Sequence, residues 1–153
     1  MKTMKKIFTC TFCLMIVFLI TGCGKKKISV EKFNSDMEKK NYTIINAGEN
    51  EELGLTKSSI AKDEDNKYII EFYQFDSFER SKYMYHKTKL EISSLAVKGS
   101  TSGEISRKKY LKYVLTNNDY YYVVSNVDNT LLIAYTKVEN KSELKEIIKK
   151  IGY

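Results

Sequence analysis

The stretch from Tyr110 to Thr136 constrains the fold more than any other part of the chain. Asn117-Asn118 and Asp128-Asn129 interrupt three runs of alternating side chains, and both pairs have the composition of two-residue hairpin turns. The first turn then sets Tyr120 opposite Leu115, Tyr122 opposite Tyr113 and Val124 opposite Leu111. The second sets Val124 opposite Ile133 and Tyr122 opposite Tyr135. Cross-strand partners share a face. Two independent turns therefore gather Leu111, Tyr113, Leu115, Tyr120, Tyr122, Val124, Leu131, Ile133 and Tyr135 on one large apolar face, expected to be the core face under the helices. The other face carries Tyr110, Lys112, Val114, Tyr121, Val123, Ser125 and further small or hydroxylated residues. It is mixed, as expected of the solvent-facing side of an antiparallel sheet.

The elements before and after this meander follow from periodicity and punctuation. Val30, Phe33 and Met37 recur at helical spacing behind Ser29, a good N-cap, and predict a helix to Lys40. Tyr42–Asn46 reads as a short strand, and Gly48–Glu52 as a polar loop. Ser58–Lys62 and Lys67–Phe75 read as a hairpin around Asp63-Glu64-Asp65-Asn66. Asp76 opens a second helix with Glu79 at its third position, running to Leu95. Lys98–Lys109, with Gly-Ser-Thr-Ser-Gly inside it, reads as a flexible loop. In the last helix Asn140 caps, Leu144, Ile147, Ile148 and Ile151 form the stripe, and Gly152 ends it. The expected fold is α+β, a mostly antiparallel sheet with helices packed on one face, in the order α-β-β-β-α-β-β-β-α.

The net charge of +7 points towards nucleic acid until the charges are located. Six of the 26 basic residues (Lys2, Lys5, Lys6, Lys25, Lys26 and Lys27) precede Ile28, leaving 20 against all 19 acidic ones. A nearly neutral domain lacks the electrostatic footprint of a phosphate-backbone binder, so no nucleic-acid partner is expected. The balanced charge fits a monomer.

Lys5-Lys6 is followed by Ile7–Ile20, which carries no charge. As a helix this run rises about 21 Å, short of the roughly 30 Å hydrocarbon core, so it reads as a signal-peptide apolar region rather than a membrane span. It ends in Ile20-Thr21-Gly22-Cys23, which resembles the lipobox of bacterial prolipoproteins. The resemblance implies a signal peptide over residues 1–22, cleavage before Cys23, and a diacylglyceryl group on the Cys23 thiol. It also implies residence on the extracytoplasmic face of the cell membrane, with Gly24 after the cysteine fitting retention there. Residues 23–28 then form the lipidated cysteine and tether, and residues 29–153 a single α+β domain. Cys10 and Cys13 have C-x-x-C spacing but fall inside the leader, so no disulfide is available to the mature chain. Two acyl chains anchor stably where one would not, and Lys25–Lys27 add attraction to an anionic leaflet. Beyond the leader the chain resembles small Gram-positive cell-surface lipoproteins in Tyr68-Ile69-Ile70-Glu71-Phe72, in Tyr120–Tyr135 and in Ile147–Tyr153. These are strand and cap motifs, and they imply a fold and an address but no activity.

The inventory for chemistry is thin. His86 is the single histidine, too few for a multi-histidine metal site, and no nucleophile elbow accompanies it. Asp63–Asn66 lacks the central glycine and distant glutamate of a calcium loop and reads as a solvated turn. No catalytic residue, metal or cofactor is assigned beyond the covalent lipid. The 12 tyrosines are the unusual feature, since tyrosine packs on peptides and sugars at low entropic cost. The predicted register turns most of them inward and leaves Tyr110, Lys112 and Tyr121 as candidate contacts on the open face. The expected function is a membrane-anchored, non-enzymatic module that binds a protein, peptide or glycan. An envelope enzyme of hydrolase type would instead need a cleft with converging polar groups. An inhibitor or accessory subunit of a membrane complex would need an exposed patch.

Overall fold

A computed structural model of the chain describes residues 25–153; the leader and the lipobox, Cys23 included, lie outside them. The order among the described residues is α1 (Val30–Glu38), β1 (Thr43–Asn46), β2 (Leu55–Lys62), β3 (Ile69–Phe75), α2 (Phe78–Ser93), β4 (Thr101–Arg107), β5 (Tyr110–Thr116), β6 (Tyr120–Val127), β7 (Thr130–Lys137), a 3-10 turn at Val138–Asn140 and α3 (Lys141–Lys150). The strands form one seven-stranded sheet in the order β1-β2-β3-β7-β6-β5-β4, with every neighbouring pair antiparallel. None of the described helices is long and apolar enough to cross a membrane.

The helix ends follow their capping residues. The Ser29 hydroxyl accepts from the Lys32 amide at 3.2 Å and starts α1. In α2 the cap is Ser77 rather than Asp76, its hydroxyl accepting from the Arg80 amide at 3.4 Å and donating to the Asp76 carboxylate at 2.8 Å. At the end of α3 the Tyr153 amide donates to the Ile148 carbonyl at 3.0 Å and the Gly152 amide to the Lys149 carbonyl at 3.1 Å. Gly152 has φ +97°, the left-handed conformation this double bond pattern requires. The cap turns Tyr153 back onto Ile148 and into the core, where its ring meets Phe72 edge-on at 5.6 Å.

The α+β class holds, but the expected element order is corrected by one strand. Thr101–Arg107, expected as part of a flexible loop, pairs along its whole length with β5 and forms the sheet edge. All seven of its residues are exposed, so neither alternation nor apolar content marks it. The hydrogen-bonding edge of β5 imposes the strand conformation there, which is context overriding propensity.

The meander register is half as expected. Val127 pairs with Thr130 across Asp128-Asn129, and Val124 with Ile133, as the two-residue turn requires. Asp128 takes φ 52°, a region aspartate tolerates. The first connection turns one residue later than expected, around Asn118-Asp119: the Asn117 amide donates to the Tyr120 carbonyl at 3.0 Å, and the Asn117 carboxamide oxygen accepts from the amides of Asp119 and Tyr120 at 3.0 and 2.8 Å. Leu115 therefore pairs with Tyr122 and Tyr113 with Val124. The shift from the expected pairing is two residues, so the two face assignments survive it.

Helices on one face is the expectation the structure overturns. Leu111, Tyr113, Leu115, Val124 and Leu131 pack with Tyr85 and Ile92 of α2. On the other face Tyr121, Val123, Leu132 and Ala134 pack with Phe33 and Met37 of α1 and with Leu144 and Ile148 of α3. The hydroxyls that made this face read as mixed are bonded internally. Thr136 donates to the Lys67 carbonyl at 2.7 Å, and Thr130 to the Val127 carbonyl at 2.6 Å. A buried hydroxyl with a main-chain partner costs little, so serines and threonines do not mark solvent here.

Candidate functional site

The face under α1 and α3 is not covered evenly. Helix α1 packs against β1, β2 and β3, and α3 against β7. Strands β5 and β4 continue the sheet past α3, and the step between helix and sheet is a groove of about 630 Å³. Its floor comes from β5 and β6 through Tyr110, Lys112, Val114 and Tyr121. Gly103 and Ile105 of β4 form the far side, and Lys145, Ile148 and Lys149 of α3 the wall. Antiparallel pairing accounts for the convergence: Gly103 lies opposite Val114, and Ile105 opposite Lys112. Ile105 is 42% exposed, an apolar side chain held at the groove mouth.

Tyr110, Lys112 and Tyr121, the residues expected as open-face contacts, all line this groove, but not as a solvent-facing platform. Tyr121 is only 3% exposed and belongs to the core. Lys141 and Lys145 lie over its ring at 5.1 and 5.7 Å from the centroid, favourable cation–ring contacts that pin α3 to β6. Burial pushes its phenol up to about 12. Tyr110 is half-buried, its phenol raised by burial against a smaller opposing effect of Arg107.

Lys112 carries the groove's electrostatics. Its ammonium is held below the ordinary lysine range first by burial, then by Lys25 and by Lys145. No Asp or Glu carboxylate among the described residues pairs with Lys25, Lys112, Lys145 or Lys149. Glu104 lines the groove, but its carboxylate binds Lys89 at 2.6 Å and accepts a bond from the Tyr85 hydroxyl at 3.5 Å. Lys25 itself donates to the main-chain oxygen of Tyr153 at 3.4 Å. The result is a half-buried cation with apolar walls and like-charged neighbours.

Lys145, Lys149 and Ile105 were not singled out from the sequence, and Lys25 only as part of the Lys25–Lys27 run expected beside the leaflet. Lys145 and Lys149 are one helical turn apart, which is legible, but only the topology brings them over β5. The segment before α1 is also tied down, with Lys27 donating to the Asn129 side chain at 2.9 Å. His86 is exposed on α2, its ring edge-on to Tyr85 at 5.3 Å. Among the described residues no three His, Cys, Asp or Glu side chains gather as a metal set.

No protein-family model matches this chain, and no curated protein matches its sequence. Two solved structures resemble it. A GTP-binding regulator from Thermotoga maritima is 14% identical with a TM-score of 0.50, over 82% of this chain and 88% of that one. The extracellular domain of PknH from Mycobacterium tuberculosis is 9% identical with a TM-score of 0.40, over 81% and 91%. The first likeness is one of fold alone.

Proposed function

We propose that this chain is a lipid-anchored module on the extracytoplasmic face of the cell membrane, tethered through Cys23, and that it acts by binding rather than by catalysis. The groove between α3 and β4–β5 supports the reading, because Lys112 there has apolar walls, cationic neighbours and no carboxylate partner. Such a site favours a partner with negative charge beside an apolar surface, on a protein, peptide or glycan or in the membrane itself. The groove lining holds no histidine, serine, threonine or cysteine, so no Ser–His or Cys–His pair supports a hydrolytic reading of it. The anchor is tested by Cys23→Ala: lipidation stops, the uncleaved precursor accumulates, and partition into detergent changes. Mature size and detergent partition identical to the unaltered chain overturn the assignment.

A further inference from the structure

The groove takes in the residue next but one in sequence to the proposed anchor. Lys25, whose side chain lines the groove, is two residues after Cys23. Two extended residues span about 7 Å at most, so a lipid on Cys23 holds the groove mouth close to the headgroup layer. The charge is complementary to an anionic leaflet, with Lys25, Lys145 and Lys149 around Lys112, no Asp or Glu carboxylate among the described residues paired to any of them, and Lys25 alone engaged, at the main-chain oxygen of Tyr153. Ile105 beside these cations suits the boundary between headgroup and acyl chain. Anchored headgroups also meet the groove at an effective concentration that a freely diffusing partner does not match.

We propose that the groove seats the phosphate-bearing headgroup of an anionic lipid in the leaflet that holds the Cys23 anchor, so that the domain rests on the membrane in one orientation. This rests on the lipid-anchor reading and deepens it. Lys112 supplies the central charge, Lys25 and Lys145 close on the phosphate, and the α2 face of the sheet is turned outward. A free phosphoester or an acidic peptide offers the same charge, so the test separates them.

The test uses the full mature chain with its lipid, in vesicles of phosphatidylcholine alone or with phosphatidylglycerol added, exposed to an amine-acylating reagent. Labelling is read lysine by lysine by mass spectrometry, with Lys82 and Lys87 of α2 as internal references. A bound phosphate blocks the amine and raises its pKa, each unit slowing acylation about tenfold. The expected result is Lys112 and Lys145 protected roughly tenfold in the anionic vesicles, the references unchanged, and protection of Lys145 lost in Lys112→Met. Equal labelling in the two vesicle types overturns the proposal. So does equal protection on neutral vesicles by millimolar glycerol phosphate, which assigns the groove to a soluble phosphoester, or by poly-glutamate, which assigns it to an acidic protein. The two readings fail separately: a mature chain whose mass lacks the diacylglyceryl group loses the anchor and the proposal together, whereas a lipidated chain with unprotected lysines loses the proposal alone.

Discussion

Val123 and Val124, consecutive in β6, are both completely buried, and they point into different cores. Val123 lies with Phe33, Leu132 and Leu144 beneath α1 and α3, and Val124 with Tyr85, Leu111 and Leu131 beneath α2. A sheet with one open face would spare one of the pair. Val123→Asp and Val124→Asp are each expected to cost several kcal/mol of a total stability of roughly 5–15 kcal/mol. Chemical denaturation of the two variants checks this, and a loss confined to Val124→Asp would mean that α1 and α3 do not cover the sheet.

Asn126 joins the core beneath α2 to that helix. Its side-chain nitrogen shares its two hydrogens among the Ser81 hydroxyl at 2.8 Å and the carbonyls of Thr130 and Asp128 at 2.9 and 3.0 Å, with Asn126, Ser81 and Thr130 buried. The Ser81 hydroxyl also lies 2.9 Å from the Asp128 carbonyl, so α2 is fastened to the β6–β7 turn at one polar point. Asn126→Ala is expected to cost about 1–3 kcal/mol through the acceptors left unpaired. Ser81→Ala in the same background should cost less than it does alone, because the two side chains share the bond. Melts of the two single variants and the double variant measure the coupling; strict additivity would contradict a shared clamp.

The buried tyrosines set an alkaline limit. Burial raises the phenol of Tyr121 to about 12 and those of Tyr42, Tyr73, Tyr85 and Tyr153 further. The unfolded chain sheds these protons from about pH 10, while the folded chain keeps them. Stability is therefore full below pH 10 and falls as pH rises from 10 through 12. Phenolate absorbance followed together with circular dichroism should show a cooperative late step at unfolding. A smooth titration of all 12 tyrosines near pH 10 with the fold intact would refute it.

Lys112 works in the opposite sense. Its folded pKa is lowered, by burial first and then by Lys25 and Lys145, so the unfolded chain holds this proton to a higher pH than the folded chain does. The cost of the charge is present in full at neutral pH and is relieved as pH climbs from the lowered value towards the ordinary lysine value. Lys112→Met keeps an unbranched stem and removes the charge. It is expected to melt at a higher temperature than the parent at pH 7, with the gap narrowing in the alkaline range. A lower melting temperature at pH 7 would mean that the ammonium is already satisfied.

The sequence was most legible where local chemistry decides the structure. Ser29, Gly152 and Asp128-Asn129 each fix a cap or a turn within a few residues, and the structure places helix ends and a hairpin there. It was least legible where distant elements decide. Thr101–Arg107 has no core face of its own and is a strand because β5 offers an edge. Tyr121 was expected in solvent because its neighbours Thr116, Ser125 and Thr136 are polar, yet α3 lies across it through Lys141 and Lys145. The groove was half visible in the same way. Tyr110 and Lys112 stood out from their register, while Lys25 and Lys145 reach them from elements far away in the chain.

The turn at residues 117–119 determines which of its length variants the fold can inherit. A change of two residues in its length leaves Lys112 facing the groove and Tyr113 facing α2. Removing one residue would exchange them, carrying Tyr113 and Leu115 into the groove and a lysine into the core beneath α2. Insertions and deletions at this point should therefore persist in even steps, so that homologues, when aligned, differ in loop length by pairs of residues and seldom by one.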